Sequence, residues 1–393
     1  MQRDAKEIVA AMGMGWNLGN TFDSYHRVSS QRDGAGYAIG EDVTRLETMW
    51  LSGSGDATTL TLIKRLKELG FETIRIPVTW HRVADPDNNW TIWTPYMDRV
   101  HEVVKMAYDE GMYVVLNVHH DDYVMRYSSG PARNVSETAG QINAVDRAQT
   151  ELVHRRFWEQ ISTRFAAFGE RLIFEGLNEP RTIDSPAEWT GGTSHEREFI
   201  NELNQLFVDT VRATGGNNKW RTLMLPTYAA SAALNPLRTF EKPEDEVENR
   251  LALSLHAYSP FSWAHDGWGA YAGWKSALEA DFNRIQTRAG NLNMPVVLGE
   301  WGSVNNINNV DNTSAAQRAT HARDYVFMAV SRGMAPIWWD NANQLGRNEQ
   351  HPISTHGFGL IARAAPHNPF YAEIVTGMSD GLALARSGGQ LPG

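Results

Sequence analysis

Two carboxylates close short apolar runs in this chain. Glu179 ends L-I-F-E-G-L-N-E-P (172–180), and Glu300 lies near the end of M-P-V-V-L-G-E-W-G (294–302). A carboxylate held at the end of a buried strand is costly unless it is paired or working. Strand side chains alternate faces, so Glu175, Leu177 and Glu179 are expected on one face. Asn178 belongs to the other face unless the chain bends where Pro180 stops the strand. Taken alone, Glu179 reads equally well as a cap.

Other apolar runs also turn polar at their ends. The run 71–78 carries Arg75, and 112–120 ends in His119 and His120. The run 251–258 supplies His256 and Tyr258 on one face, and 335–341 supplies Trp338, Trp339 and Asp340. Paired carboxylates on one rim suit glycosidic bond cleavage, one as acid/base and one as nucleophile or base. Their surroundings should push their pKa values apart. Arg75 and the Tyr258 phenol are expected to keep Glu300 ionised. Burial and the Glu300 charge are expected to raise Glu179, leaving it a proton to give.

The pair His119–His120, followed by Asp121 and Asp122, has a metal-binding alternative. Alternation sets the two rings on opposite faces, so a sugar-binding role is favoured and no metal or other cofactor is expected. A core role is the bland alternative for His256.

These side chains need elements to position them. Eight apolar runs recur, at 12–20, 71–78, 112–120, 172–179, 221–228, 251–258, 294–302 and 335–341. Segments with helical spacing follow most of them, including 58–69, 94–110, 146–168, 194–214, 274–288 and 315–333. Near-continuous apolar strands suit a parallel sheet covered on its outer face. The pattern predicts an α/β fold, a closed (β/α)8 TIM barrel, with residues 1–393 as a single domain. An open doubly wound sheet is disfavoured, because G-W-N-L-G-N does not fit a dinucleotide loop. In a barrel the site lies at the C-terminal strand ends. Residues 29–55 read as a long loop or small excursion, and those from about 378 as a Gly-rich, frayed tail.

The net charge of −10 opposes binding to a phosphate backbone and gives no attraction to an anionic membrane. No cysteine is present, which excludes disulfides, zinc–thiolate sites and thiol nucleophiles. No run of apolar residues is long enough to span a bilayer. The 14 Trp suit flat apolar ligand faces as well as cores. Trp80, and less strongly Trp263 and Trp268, are read as sugar platforms, with Asn20 and His120 as further binding candidates.

In order along the chain, G-W-N-L-G-N-T (15–21), I-R-I-P (74–77), N-V-H-H (117–120), L-N-E-P (177–180), H-A-Y-S-P (256–260), L-G-E-W-G (298–302) and W-W-D-N (338–341) resemble glycoside hydrolase family 5. The first and last motifs look like those of its subfamily 4. The resemblance implies a retaining endo-β-1,4-glucanase with Glu179 as acid/base and Glu300 as nucleophile. It implies that Arg75 and Tyr258 support the nucleophile and that Asn178 bonds the sugar 2-hydroxyl. His119 and His256 would line the reacting subsite, with Trp339 as its floor. A β-mannanase or a xyloglucan-specific enzyme on the same site is the near alternative. A non-catalytic sugar-binding barrel and a metal-dependent hydrolase are the distant ones. The expected partner is a β-glucan, with no nucleic acid and no membrane. The expected state is a secreted monomer whose signal peptide is already removed.

Overall fold

Helix α1 (Ala5–Ala11) starts at Asp4, whose carboxylate accepts the Glu7 N–H while Glu7 reaches back to the Asp4 N–H. This capping box settles two of the helix's orphan donors. Its apolar residues Ile8 and Val9, with Met12, pack against Val115, Ile173, Met224, Val297 and Ile337. They seal one end of a ring of strands.

The chain is described by a computed structural model at residues 2–25, 38–51, 56–121, 144–182, 185–271, 275–306, 313–344 and 357–391. The strands are β1 (Gly15–Asn17), β2 (Thr73–Ile76), β3 (Tyr113–Asn117), β4 (Leu172–Glu175), β5 (Leu223–Ser231), β6 (Leu251–His256), β7 (Val296–Trp301) and β8 (Ala335–Trp338). Every neighbouring pair is parallel, and β8 returns to β1 to close the barrel. Helices α2 (Leu60–Glu68), α3 (Thr94–Asp109), α4 (Ala144–Arg164), α5 (Ser194–Ala213), the short α6 (Leu234–Thr239), α7 (Lys275–Leu292), α8 (Ala315–Val330) and α9 (Ala372–Arg386) follow the strands in turn. The expected (β/α)8 barrel is present. Strand residues are buried on both faces, as the near-continuous apolar runs required.

Three sequence expectations need correction. First, the tail expected from about 378 is helical as far as Arg386, in α9 (Ala372–Arg386), where Gly377 and Gly381 let that helix press against α8. A Cβ at either position would stand 2.3 Å from a carbonyl oxygen of α8, Ala319 or Arg323. Gly381, read as looseness, is a point of close approach. Second, residues 29–55 are not all loop, since Val43–Thr48 forms a short helix capped by Asp42. Residues 26–37 and 52–55 lie outside the described residues. Third, Leu177 does not share a face with Glu175 and Glu179. It packs in the outer core, because β4 ends at Glu175 and the alternation ends with it.

Candidate active site

Arg75 projects from β2 into the barrel and is fully buried. Its guanidinium is the hub of the rim. Nε donates to Glu175 at 2.7 Å, Nη1 to Asn17 and Glu300, both at 2.9 Å, and Nη2 to Asn178 at 2.7 Å. One rigid fork therefore sets the orientation of two carboxylates and two amides. Asn178 faces the cleft, so the chain does bend before Pro180.

Glu175, not Glu179, closes β4. It accepts from Arg75, from Asn117 Nδ2 at 3.1 Å and from Ser254 Oγ at 2.5 Å. Glu179 stands four residues on, in the loop. The register slips between the Leu255–Leu298 and His256–Glu300 pairs of β6 and β7. That slip breaks strand alternation and turns Glu300 inward beside His256. Gly299 faces inward as well, where a Cβ would lie 3.2 Å from His256 and 3.4 Å from Glu175.

Tyr258 donates to Glu300 Oε2 at 3.0 Å. His256 Nδ1 lies 2.8 Å from Glu179 Oε1 and 3.6 Å from Glu300 Oε2. Oxygens of Glu179 and Glu300 and a nitrogen of His256 all lie within 4.8 Å of one another. Carboxylate oxygens this close suit the ~5–5.5 Å carboxyl spacing for direct attack better than the ~6.5–9.5 Å that admits a water.

The expected order of acidities is inverted. Burial raises Glu179, but the hydrogen bond and charge of His256, with Arg181 and His120, outweigh it and bring the carboxyl to about 2. His256 is raised in return: burial disfavours its charge, while Glu300 and Glu179 favour it more. Glu300 moves up, chiefly by burial, with His256 and Arg75 only partly offsetting this. Arg75 is a weak counter-charge for Glu300 because it serves Glu175 too. The shifts favour His256 over Glu179 as the holder of the proton, one hydrogen bond away.

Stability carries the signature of that pair. The depressed Glu179 contributes above its ordinary 4.5, and this is lost as pH falls toward about 2. The raised His256 contributes below its ordinary 6.5, and this is lost as pH rises through its folded value. The Tm difference between the wild type and His256→Asn should thus peak between 4.5 and 6.5. Thermal melts across that range and beyond it would expose a flat difference, which is incompatible with a shared proton.

Trp339 lines the cleft and stacks on His119, with centroids 5.8 Å apart and planes within 7°. Trp338 is buried and donates to the Phe358 carbonyl, so Trp339 is the one of the two that faces the cleft. Asn20 and His120 line the cleft as expected. Trp80 does not. It is fully buried, donates to the Asn117 carbonyl and packs edge-on against Tyr96. Trp263 is likewise core, and Trp268 is exposed but outside the cleft lining.

The parity argument separating His119 from His120 fails, because β3 already ends at Asn117. Their rings lie 4.4 Å apart, and the nearby carboxylate is Asp23 rather than Asp121, which accepts the His81 N–H; Asp122 lies outside the described residues. Burial, against hydrogen bonds from Thr21 and Asn20, pushes Asp23 up to about 7. A metal does not suit this trio. Asn117 Oδ1 accepts the Val78 N–H, so its Nδ2 faces His119 Nδ1. Neutral His119, held well below 6.5 by burial and by His120, then carries its hydrogen on Nε2 and offers a donor there, not a lone pair.

The cleft has a volume of about 840 Å3. Its walls include aromatics that the sequence reading passed over: Trp50, Trp189, Phe261 and Phe358. Asn17, Asn117 and Glu175 were also missed as parts of the Arg75 network. Asn17 and Asn117 do stand in the motifs 15–21 and 117–120, but Glu175 is marked only by its place on the apolar run of β4.

The family model for cellulase (glycosyl hydrolase family 5) matches residues 33–345. Endoglucanase B of Ruminococcus albus is 39% identical over 363 residues, covering 91% of this chain and 76% of that protein. A broad-specificity GH5-4 endoglucanase from Clostridium longisporum superposes with a TM-score of 0.81 at 32% identity, over 98% of this chain and 100% of that one. A family 5 lichenase from Caldicellulosiruptor sp. F32 gives 0.80 at 33% identity, over 98% and 96%. With sequence, barrel and rim in agreement, the chain belongs to glycosyl hydrolase family 5.

Proposed function

We infer that this protein is an endo-β-1,4-glucanase that cleaves by double displacement. The observation carrying this reading is Glu300, oriented by Arg75 and Tyr258, within direct-attack spacing of Glu179. Glu300 attacks the anomeric carbon as the glycosidic bond breaks. The proton shared by Glu179 and His256 passes to the leaving oxygen through Glu179. Glu179, again a carboxylate, then takes a proton from water, which displaces Glu300 and restores the original configuration. Tyr258 remains a hydrogen-bond donor throughout, because burial and the Glu300 charge hold its phenol well above 10.

His119 Nε2–H, Asn178 and Trp339 hold the sugar on the non-reducing side of the cut. A long open cleft suits internal cleavage of a polymer. Family relatives bear the names endoglucanase and lichenase, and one solved relative holds cellotriose. Mixed-linkage β-glucan and cellulose chains are therefore the substrates proposed here, with xyloglucan as the branched candidate. We take the protein to work as a monomer outside the cell, where an insoluble polymer would be met. Product analysis on these glucans and on mannan, with NMR of the first-formed anomer, tests the reading. A first-formed α-anomer, or cleavage of mannan alone, would overturn it.

A further inference from the structure

Strand β5 does not run evenly beside β6. Pro226 pairs with Ser254 and Ser231 with His256, so β5 takes five steps where β6 takes two. The surplus chain between those pairs forms a bulge. Thr227 Oγ1 closes its neck on the Ser231 carbonyl at 2.8 Å, and Asn204 of α5 holds the Pro226 carbonyl at 2.9 Å. Ala229 and Ala230 within it have φ of 54° and 48°. That left-handed region is unfavourable for a residue with a Cβ, and such strain persists only where the surroundings impose it. Bulges beside a site commonly re-aim a group, and Ala229 and Ser231 line the cleft.

The bulge reaches the loop that carries Glu179. The Ala229 N–H donates to the Pro180 carbonyl at 2.8 Å, and the Thr182 N–H donates to the Tyr228 hydroxyl at 3.1 Å. The Tyr228 ring also seats Gly192, where a Cβ would stand 2.6 Å from it. On the other side of Glu179, the Asn178 N–H donates to the Val118 carbonyl at 2.9 Å. The residues before and after Glu179 are thus tied by backbone bonds to the segment after β3 and to β5. Tyr228 itself is buried and stands outside the cleft lining. Burial pushes its phenol up to about 12, which leaves it a neutral acceptor for Thr182.

We propose that the β5 bulge, through the Tyr228 hydroxyl and the Ala229 N–H, is the device that positions Glu179 to protonate the leaving oxygen. This rests on Glu179 being the acid/base. Tyr228 is a positioning residue in this scheme. Without its hydroxyl the Thr182 N–H loses its acceptor, and the loop gains freedom three residues from the acid. A proton donor works only within hydrogen-bond reach of the atom it serves, so a small displacement is costly.

The test uses Tyr228→Phe, which deletes the hydroxyl and keeps the ring on Gly192. It compares phenyl β-cellotrioside, whose phenoxide leaves slowly unless protonated, with 2,4-dinitrophenyl β-cellotrioside, whose anion leaves unaided. The ratio of kcat/KM on the phenyl substrate to that on the dinitrophenyl substrate should fall about ten- to a hundredfold, the scale of misplacing one catalytic group. Activity kept on the dinitrophenyl substrate shows at the same time that the barrel has folded. Equal proportional losses on both substrates, or no loss on either, would overturn the positioning role. Glu179→Ala should collapse the same ratio further. If it lowers both rates equally, the acid/base assignment itself fails, and the positioning role with it.

Discussion

Glu300→Gln should lower kcat by roughly four to six powers of ten, the scale on which enzymes lose a covalent nucleophile. The amide cannot form the glycosyl ester, yet it keeps the shape of the side chain: Arg75 and Tyr258 bond different oxygens of Glu300, at 2.9 and 3.0 Å, so the single amide oxygen can accept from Arg75 while the NH2 donates to the Tyr258 hydroxyl, which can turn to accept. The thermal midpoint should not fall. Burial and the facing Glu179 already disfavour the Glu300 charge, so removing that charge relieves repulsion. Glu300→Gly offers the complementary readout: added azide should attack in place of the carboxylate and give a glycosyl azide of inverted configuration. Residual Glu300→Gln activity within about tenfold of wild type on a cello-oligosaccharide would be incompatible with a covalent intermediate at this residue.

Arg75→Met should damage stability and rate together. Glu175 and Glu300 are 0% and 7% exposed at their side chains, and Arg75 is the cation both contact. Removing one partner of a buried ion pair costs about 3–5 kcal/mol, since the remaining charge has no solvent to return to. The loss, read by denaturant unfolding at neutral pH, should shrink at acid pH as Glu300 takes up a proton. Turnover should fall about a hundred- to a thousandfold, as for removal of one preorganised donor. Arg75→Lys should recover part of the stability but little of the rate, because an ammonium cannot reproduce a fork that meets four partners. An Arg75→Met protein as stable as wild type would show that the network does not hold the rim.

The barrel was legible because most of its strands are near-continuous apolar runs, a pattern that needs no knowledge of contacts. Glu179 and Glu300 were legible as polar ends of such runs. Trp80 was misread because a Trp just after β2 looks like a rim residue; its indole turns inward to the Asn117 carbonyl. Trp50 and Trp189 lie in loops, where no periodicity marks a side chain as facing a cleft. The acidities of Glu179 and Glu300 were opposite to expectation because His256 approaches within 2.8 Å of Glu179. That proximity joins β6 to the loop after β4 and has no local sequence signal.

The ring is joined where its ends meet. Gly15 pairs with Ile337, and the Trp16 indole donates to Asp340 at 2.7 Å across 324 positions. Arg386 at the end of α9 then clasps Glu72 at the entrance to β2 through two hydrogen bonds of 2.7 and 2.8 Å. During synthesis the amino-terminal strand must wait for β8 to emerge before its second edge is covered. Until then β1 presents an open edge, the kind of surface that invites mispairing. The final fastening is thus a late event in the life of the nascent polypeptide, and the catalytic rim, which draws on β1, β2, β4, β6 and β7, cannot be complete before it.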